Sequence, residues 1–335
     1  MKYRLLGKTG MKVSTIGFGG IPIIQVSMAD SIKLLNKALD MGINFFDTAR
    51  CYNNSEEKMG RALKSRRSEC YIATKSLERT RKGIRQELET SLRNLQVEAI
   101  DLYQIHDLRK PEDYDMVMGP GGALEAVLDA KKEGKILHIG VSSHQPTLIE
   151  QAIKTGYFET VQIPYNIIDY EMFQHVIPAA NSLDMGIIVM KPFAGGLFKD
   201  ASKALRFIIS HPVTNVIPGM STIKELEENI KVLENAQVLT SDELEELKKE
   251  ADQLGKDFCR RCGYCLPCPQ GIDIPTIFRY ERYLTSYYQG AWAREQYKVL
   301  EVKADACVEC GNCESRCPYE LNVIEKLKCS HNLLK

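Results

Sequence analysis

The sequence predicts an α/β protein, a (β/α)8 barrel followed by a small cysteine-rich helical domain. Short apolar runs alternate with amphipathic stretches through the first 255 residues, and eight such pairs can be counted. A barrel of eight strand–helix units typically needs about 250 residues, so the length fits. Eight of the eleven cysteines lie beyond this region, between Cys259 and Cys317, and Cys329 follows them. We therefore assign the barrel to residues 1–255 and the second domain to residues 256–335.

The apolar runs are short and rich in Ile, Val, Phe and Tyr, which is typical of parallel strands buried on both faces. They are Val13–Phe18, Ile43–Asp47, Tyr71–Lys75, Ile100–His106, Ile136–Val141, Thr160–Pro164, Gly186–Lys191 and Thr214–Pro218. Apolar residues three and four apart between these runs predict helices, as in Ile84-Leu88-Leu92-Leu95. The polar start, with Gly7 and Gly10, is expected to form a hairpin that closes the barrel bottom. A doubly wound open sheet is the alternative.

The cysteines form two blocks whose spacing is typical of iron–sulfur ligands. The first block is Cys259, Cys262, Cys265 and Cys268, and the second is Cys307, Cys310, Cys313 and Cys317. Three cysteines at two-residue gaps, then a fourth before proline, bind [4Fe–4S] clusters in bacterial ferredoxins, where the fourth ligates the other cluster. We expect two clusters in a helical, ferredoxin-like domain. The first block is one residue short before Cys268, which leaves its ligand assignment open, and zinc is the alternative metal.

Composition excludes several classes of partner. The 44 basic and 44 acidic residues give zero net charge, so charge offers no basis for binding nucleic acid or an anionic membrane. No apolar run reaches the roughly 18 residues of a membrane helix, and the start lacks the apolar segment of a secretory signal. Clustered cysteines of this kind indicate metal ligands rather than disulfides. We expect a cytoplasmic protein.

Four polar residues fall where predicted strands end, which is where barrel enzymes carry their chemistry. Asp47, Lys75 and His106 end the second, third and fourth runs, and Tyr52 follows Asp47 by five residues. This constellation resembles the aldo-keto reductases over roughly residues 1–235. The resemblance implies that the four residues form a catalytic tetrad, which interconverts a carbonyl and an alcohol with a nicotinamide cofactor.

The chemistry of the four residues fits that role. A carbonyl that receives hydride at carbon becomes an alkoxide and needs a proton, which Tyr52 would donate as general acid. A free phenol has a pKa near about 10, and a neighbouring Lys75 cation would lower that pKa. Asp47 would hold Lys75 charged and oriented, and His106 would donate a hydrogen bond to the carbonyl.

The resemblance also implies a set of cofactor contacts. These are Ser142, Ser143, Gln162, Met190, Lys191, Pro218, Gly219, Ser221, Glu225, Glu228 and Asn229. Met190 stands where many members have a tyrosine that stacks on the nicotinamide. Gly219 and Glu225 stand where NADPH-preferring members commonly have basic residues, although Lys224 is adjacent. Both NAD and NADP therefore stay open.

Together the predicted barrel and the two cysteine blocks resemble a subgroup of aldo-keto reductases that carries a C-terminal [4Fe–4S] ferredoxin-type domain. The predicted function is an NAD(P)H-dependent oxidoreductase acting on a small carbonyl or alcohol. The alternative is an electron-transfer or redox-sensing protein, and a redox partner protein is compatible with either. Hydride carries two electrons whereas a cubane moves one, so we expect no direct exchange between nicotinamide and cluster. The loops 107–120 and 195–198 are expected to line the substrate pocket.

Overall fold

The computed structural model describes all residues except 195–197, 199, 235–236, 256–257, 261–262, 287–288 and 318. The chain forms two compact units, Met1–Ala194 with Phe198–Leu244, and Glu245–Lys335. This division falls inside the helix Ser241–Gly255, and the domain boundary after residue 255 stays a prediction. Among the described residues, no helix has both the length and the apolar character needed to cross a bilayer.

The first unit is built around eight parallel strands in sequence order, which confirms the barrel fold class. The strands are β3 Phe18–Gly19, β4 Phe45–Asp47, β5 Tyr71–Ser76, β6 Ile100–Leu108, β7 Ile136–Ser143, β8 Thr160–Pro164, β9 Gly186–Met190 and β10 Asn215–Val216. Parallel bridges from Ile16 to Val216 and from Gly19 to Gly219 join the first strand to the last. This pairing closes the sheet and rules out the doubly wound alternative, whose edges would stay open.

The chain before β3 forms an antiparallel hairpin of β1 Tyr3–Leu5 and β2 Lys12–Ser14. Its Leu6, Met11 and Val13 side chains are buried in one cluster with Phe45 and other barrel residues, so the hairpin closes this end of the barrel as expected. The predicted single strand Val13–Phe18 is therefore wrong. The apolar run is continuous, but Val13 and Ser14 belong to the hairpin, and the residues from Ile16 onward pair within the barrel.

Gly7 explains why the hairpin turn fits so closely against the barrel. Its φ is +51°, and a Cβ there would lie 2.4 Å from the Asp184 carbonyl oxygen. Only glycine accepts both the left-handed backbone and the close approach.

Amphipathic helices surround the strands. They are α1 Met28–Asp40, α2 Ser55–Leu63, α3 Arg81–Leu95, α4 Pro111–Met118, α5 Ala123–Lys132, α6 Pro146–Lys154, α7 Tyr170–Phe173, α8 Val176–Ser182, α9 Ala201–Ile209 and α10 Ile223–Lys231. The next helix, α11 Ser241–Gly255, belongs mostly to the second unit. The predicted spacing is confirmed in α3, where Ile84, Leu88 and Leu95 are fully buried. Burial of such stripes against the strands supplies most of the stability of helices this short.

The second unit is helical in its described residues, as the sequence predicts. After α11 it contains α12 Ile274–Thr285, α13 Gly290–Lys298, α14 Asn312–Ser315 and α15 Val323–Leu334. Its core is small and includes Ile277, Phe278, Tyr297, Leu327 and the buried Cys313. A core of this size rarely stabilises a domain without a metal or another covalent constraint.

Candidate active site and candidate metal centre

The four predicted catalytic residues lie together at the C-terminal end of the barrel. Lys75, at the end of β5, is fully buried, and its Nζ donates hydrogen bonds to Asp47 Oδ1 at 2.5 Å and to the Thr48 carbonyl at 2.8 Å. The same Nζ lies 5.3 Å from the centre of the Tyr52 ring. The rings of Tyr52 and His106 meet edge to face, with centroids 6.0 Å apart. An acid, a cation, a phenol and an imidazole thus converge on one point.

Burial controls the charges at this point. It raises the pKa of Asp47 above its usual value, and the Lys75 ammonium and the Gln104 amide oppose the rise. Burial also lowers the pKa of His106 to well below its usual 6.5, and the nearby positive charge of Lys75 lowers it further. His106 is therefore neutral at neutral pH, with one ring nitrogen protonated.

Cys51 lies directly against His106. Its Sγ is 3.6 Å from His106 Nδ1, and burial raises the pKa of the thiol to about 12. The sulfur is thus a protonated thiol at neutral pH rather than a reactive thiolate. Packing in the loop is the interpretation that this environment favours.

Gln104 joins the tetrad to the predicted cofactor contacts, and the sequence did not reveal it. Its Nε2 donates to Asp47 Oδ2 at 3.2 Å and to Gln162 Oε1 at 2.7 Å. Gln104 precedes His106 by two residues on β6, so strand periodicity places both side chains on the same face. This alternation along β6 is the sequence feature that could have identified Gln104 as a site residue.

Asp107 connects the ends of β6 and β7. Its backbone N–H donates to Ser142 Oγ at 2.9 Å, and its carboxylate pairs with His144 Nδ1 and Arg109 Nε, each at 2.8 Å. Its φ of +53° is unusual for a residue with a side chain. These contacts hold the left-handed conformation and fix His106 relative to Ser142. The segment that follows Asp107 leads into α4.

The other predicted cofactor residues follow β7 to β10. Ser143 donates to the Leu108 carbonyl, and Asn229 on α10 is buried. Glu225 closes a capping box with Thr222, and its Oε2 also accepts from the Ser221 N–H at 2.6 Å. The remaining predicted contacts also lie on these strand ends or on α10, and they are Gln162, Met190, Lys191, Pro218, Gly219 and Glu228.

Glu56 is a second buried group that the sequence did not reveal. Its side chain, on α2 just after Tyr52, is fully buried. Its carboxylate accepts from Arg50 at 2.9 Å, and from Thr74, Ser91 and Asn94 at 2.8, 2.7 and 3.1 Å. Arg50 lies between Asp47 and Tyr52, so Glu56 anchors the loop that carries the phenol.

Replacing Glu56 with alanine should lower the free energy of unfolding by about 3–5 kcal/mol, because it leaves three hydroxyl or amide donors without their acceptor and removes one of the two carboxylates that pair with the partly buried Arg50. Denaturant titration measures the change. Glu57→Ala, at the exposed neighbouring position on the same helix, is the matched control and should change stability little. Equal effects of the two changes would contradict the anchoring role.

The cysteines of the second unit line two hollows. Cys259, Cys265 and Cys317 line the first hollow, and Cys262 lies outside the described residues. The second hollow is lined by Cys268, Cys307, Cys310 and Cys313. Cys317 thus lies with the described leading cysteines of the first block, and Cys268 lies with the first three of the second block.

The described thiols are spread around the two hollows. Among the residues that the structure describes, no three His, Cys, Asp or Glu side chains converge as ligands of one metal ion must. A [4Fe–4S] cube binds each thiolate at a different iron and does not need that convergence. The cysteines around each hollow are therefore compatible with the ligands of a cube.

Comparisons with known proteins agree with both parts of the site. Residues 15–204 match the model of the aldo/keto reductase family, and residues 258–322 match a 4Fe-4S dicluster domain. The chain is 25% identical over 307 residues to the uncharacterized oxidoreductase YqkF of Bacillus subtilis (strain 168), covering 76% of this chain and 97% of that protein. It is 27% identical over 299 residues to L-galactose dehydrogenase of Arabidopsis thaliana, covering 72% and 91%.

A solved structure shows the same fold. The holo form of aldo-keto reductase AKR11C1 from Bacillus halodurans superposes with a TM-score of 0.64 at 26% identity, covering 76% of this chain and 96% of that chain. These findings define the class of protein, an oxidoreductase with an α/β barrel and a C-terminal 4Fe-4S domain. The family model matches more than half of the chain. The chain belongs to the aldo/keto reductase family.

Proposed function

We propose that the barrel interconverts a small carbonyl compound and its alcohol with a nicotinamide cofactor. The observation that carries the proposal is the buried Lys75–Asp47 pair beneath Tyr52, with a neutral His106 beside the phenol. A buried ion pair of this kind is rarely retained for stability alone, because desolvation offsets much of its attraction. Its placement against a phenol gives it a chemical role.

The residues divide the work of moving a proton. The nicotinamide, when bound, supplies the hydride. Tyr52 donates its hydroxyl proton to the oxygen of the substrate, and Lys75 stabilises the phenolate that remains. Asp47 keeps Lys75 oriented, and His106 donates a hydrogen bond to the same oxygen.

Cys51 selects the His106 tautomer that this role requires. A protonated thiol next to Nδ1 acts as a weak donor, so Nδ1 accepts and Nε2 carries the proton. Nε2 is then the donor toward the substrate oxygen.

The pH dependence should reflect a neutral His106. Since burial and Lys75 hold its pKa below the usual 6.5, kcat/KM should stay level as the pH falls through 6.5. A pH–rate profile from about pH 8 to about pH 6 measures this. His106 takes up a proton in the unfolded state before it does so in the native state. The free energy of unfolding should therefore fall as the pH falls below 6.5. A loss of kcat/KM centred on 6.5 and removed by His106→Gln would contradict the assignment.

The cofactor site favours NADH over NADPH. Glu225 places a carboxylate at the start of α10 and accepts from the amides of Ser221 and Thr222, which would otherwise face an anion. Lys224 is largely exposed and pairs weakly with Glu228 at 3.8 Å. Ser142, Gln162 and Asn229 would hold the nicotinamide and adenine ends.

Oxidation of NADH and NADPH, followed separately with a panel of aldehydes, ketones and sugars, tests the proposal. Carbonyl-dependent oxidation with a higher kcat/KM for NADH is expected. No turnover with any carbonyl, or in reverse with any alcohol, would contradict the function.

We propose that the second unit binds two [4Fe–4S] clusters. Cys259, Cys262, Cys265 and Cys317 would hold the first, and Cys268, Cys307, Cys310 and Cys313 would hold the second. The lining of the two hollows supports this exchange of the fourth ligands. Clustered, reduced cysteines also support a cytoplasmic location.

One observation favours the alternative function of electron transfer or redox sensing. Cys310 is exposed, and its neighbour Val308 is 60% exposed, so the second hollow opens to solvent. A redox partner protein would reach the second cluster at this point. The clusters and the hydride chemistry would then serve separate steps.

A further inference from the structure

The two hollows differ in charge. Apart from the cysteines, Arg260 is the only charged side chain that lines either hollow in the described part of the chain, and it lines the first. Most residues around the second are apolar, with Gln270 as the polar exception; the apolar ones include Val308, Ile324 and Leu327. The two proposed clusters therefore have unequal surroundings.

Arg260 is held in place by an aromatic contact. Its guanidinium lies 3.7 Å from the centre of the Tyr319 ring, and Tyr319 also lines the first hollow. The Nε of Arg260 is buried and has no hydrogen-bond partner among the described residues. A buried N–H with no acceptor is costly, so a partner is expected in the hollow itself. The sulfur atoms of a cluster would provide that acceptor.

A fixed positive charge beside a cluster favours the reduced state. Each added electron makes the cluster more negative, and a guanidinium remains charged at any pH at which the protein is folded. Net charge and hydrogen bonds to sulfur are two of the factors that set cluster potentials. Solvent at the exposed Cys310 favours reduction of the second cluster, but a full charge in a partly buried contact is expected to have the larger effect.

We propose that Arg260 gives the first cluster a higher reduction potential than the second, so that the first electron to enter the domain resides on the first cluster. The inference rests on the two-cluster assignment made above. Ile274 lines both hollows, so the two sites are neighbours and an electron is expected to equilibrate between them. Reduction from the solvent-facing second site would then end at the first.

A redox titration with dithionite, followed by electron paramagnetic resonance, tests the proposal on the anaerobically purified full-length protein. Two potentials are expected. Arg260→Gln should lower the higher one and leave the lower one unchanged, and Arg260→Lys should lower it less. Lys298→Gln, which removes a positive charge from the exposed surface of α13, is the matched control and should change neither. An unchanged higher potential in Arg260→Gln, or an equal shift in the control, would overturn the proposal.

A second measurement leaves Arg260 intact. Cys310→Ser replaces a ligand of the second site only, so it should change the signal with the lower potential and preserve the higher one. A change in the higher potential would overturn the assignment. Iron and sulfide analysis separates the two claims. Fewer than two clusters in the wild-type protein would contradict the two-cluster proposal. Two clusters whose potentials are the same in wild type and Arg260→Gln would contradict only the role of Arg260.

Discussion

Tyr52→Phe is expected to lower kcat for carbonyl reduction by a factor of about 10²–10⁴, the usual contribution of a positioned general acid. The change removes the hydroxyl that donates the proton and keeps the ring that packs against His106. NADH binding should be unchanged, because the hydroxyl acts on the substrate oxygen. Steady-state kinetics and a fluorescence titration with NADH measure the two effects.

Tyr157→Phe is the matched control for this change. Tyr157 precedes β8 at the opposite end of the barrel and is 48% exposed, so its hydroxyl should not affect turnover. Full turnover of Tyr52→Phe on every active carbonyl would show that the proposed proton donor is wrong.

Cys313→Ser is expected to remove the second cluster and loosen the second unit. Cys313 is 8% exposed and belongs to the small core of that unit, so the change affects both a ligand and the packing. Iron should fall from about eight to about four atoms per chain, as expected for loss of one cube. The second unit should become sensitive to proteolysis, while carbonyl reduction by the barrel stays within about twofold, because its catalytic residues all lie in the first unit.

Cys329→Ser is the matched control, since Cys329 is exposed on α15 and lines neither hollow. It should retain iron, protease resistance and turnover. Loss of carbonyl reduction in Cys313→Ser, in a protein whose barrel remains folded, would favour the alternative in which the clusters take part in the reaction.

The fold and the proximity of the four predicted catalytic residues were predictable because both follow from the ends of parallel strands. Asp47, Lys75 and His106 each end an apolar run, and neighbouring parallel strands bring their C-terminal ends to one edge. The first strand was predicted wrongly, since one apolar run serves both the hairpin and the barrel. The spacing of apolar residues does not show where the backbone stops pairing within the hairpin and begins pairing within the barrel.

Glu56 shows why buried polar groups are harder to predict. Its partners Thr74, Ser91 and Asn94 lie 18, 35 and 38 residues away in sequence, and only the closed barrel brings them together. The backbone conformation of Asp107 is equally hard to predict from the sequence, because its positive φ depends on contacts with β7 and the following loop.

The cysteines give an intermediate case. Their spacing predicts cubes whose fourth ligands are exchanged between the blocks, but the short gap before Cys268 left its assignment open. The missing residue before Cys268 raised doubt about the first block. The structure places Cys268 in the second hollow, where the spacing inside its own block matters less.

Transfer of deuterium to the substrate from NADH that carries deuterium in both C4 positions is the most direct test of the central claim, that the barrel alone performs a two-electron reduction. The reaction is run anaerobically with a carbonyl that supports turnover, and cluster absorbance is recorded throughout. We predict one deuterium on the former carbonyl carbon for each NADH oxidised, with no change in cluster absorbance. Bleaching of the clusters by NADH before the carbonyl is added, or an alcohol without deuterium, would contradict the account.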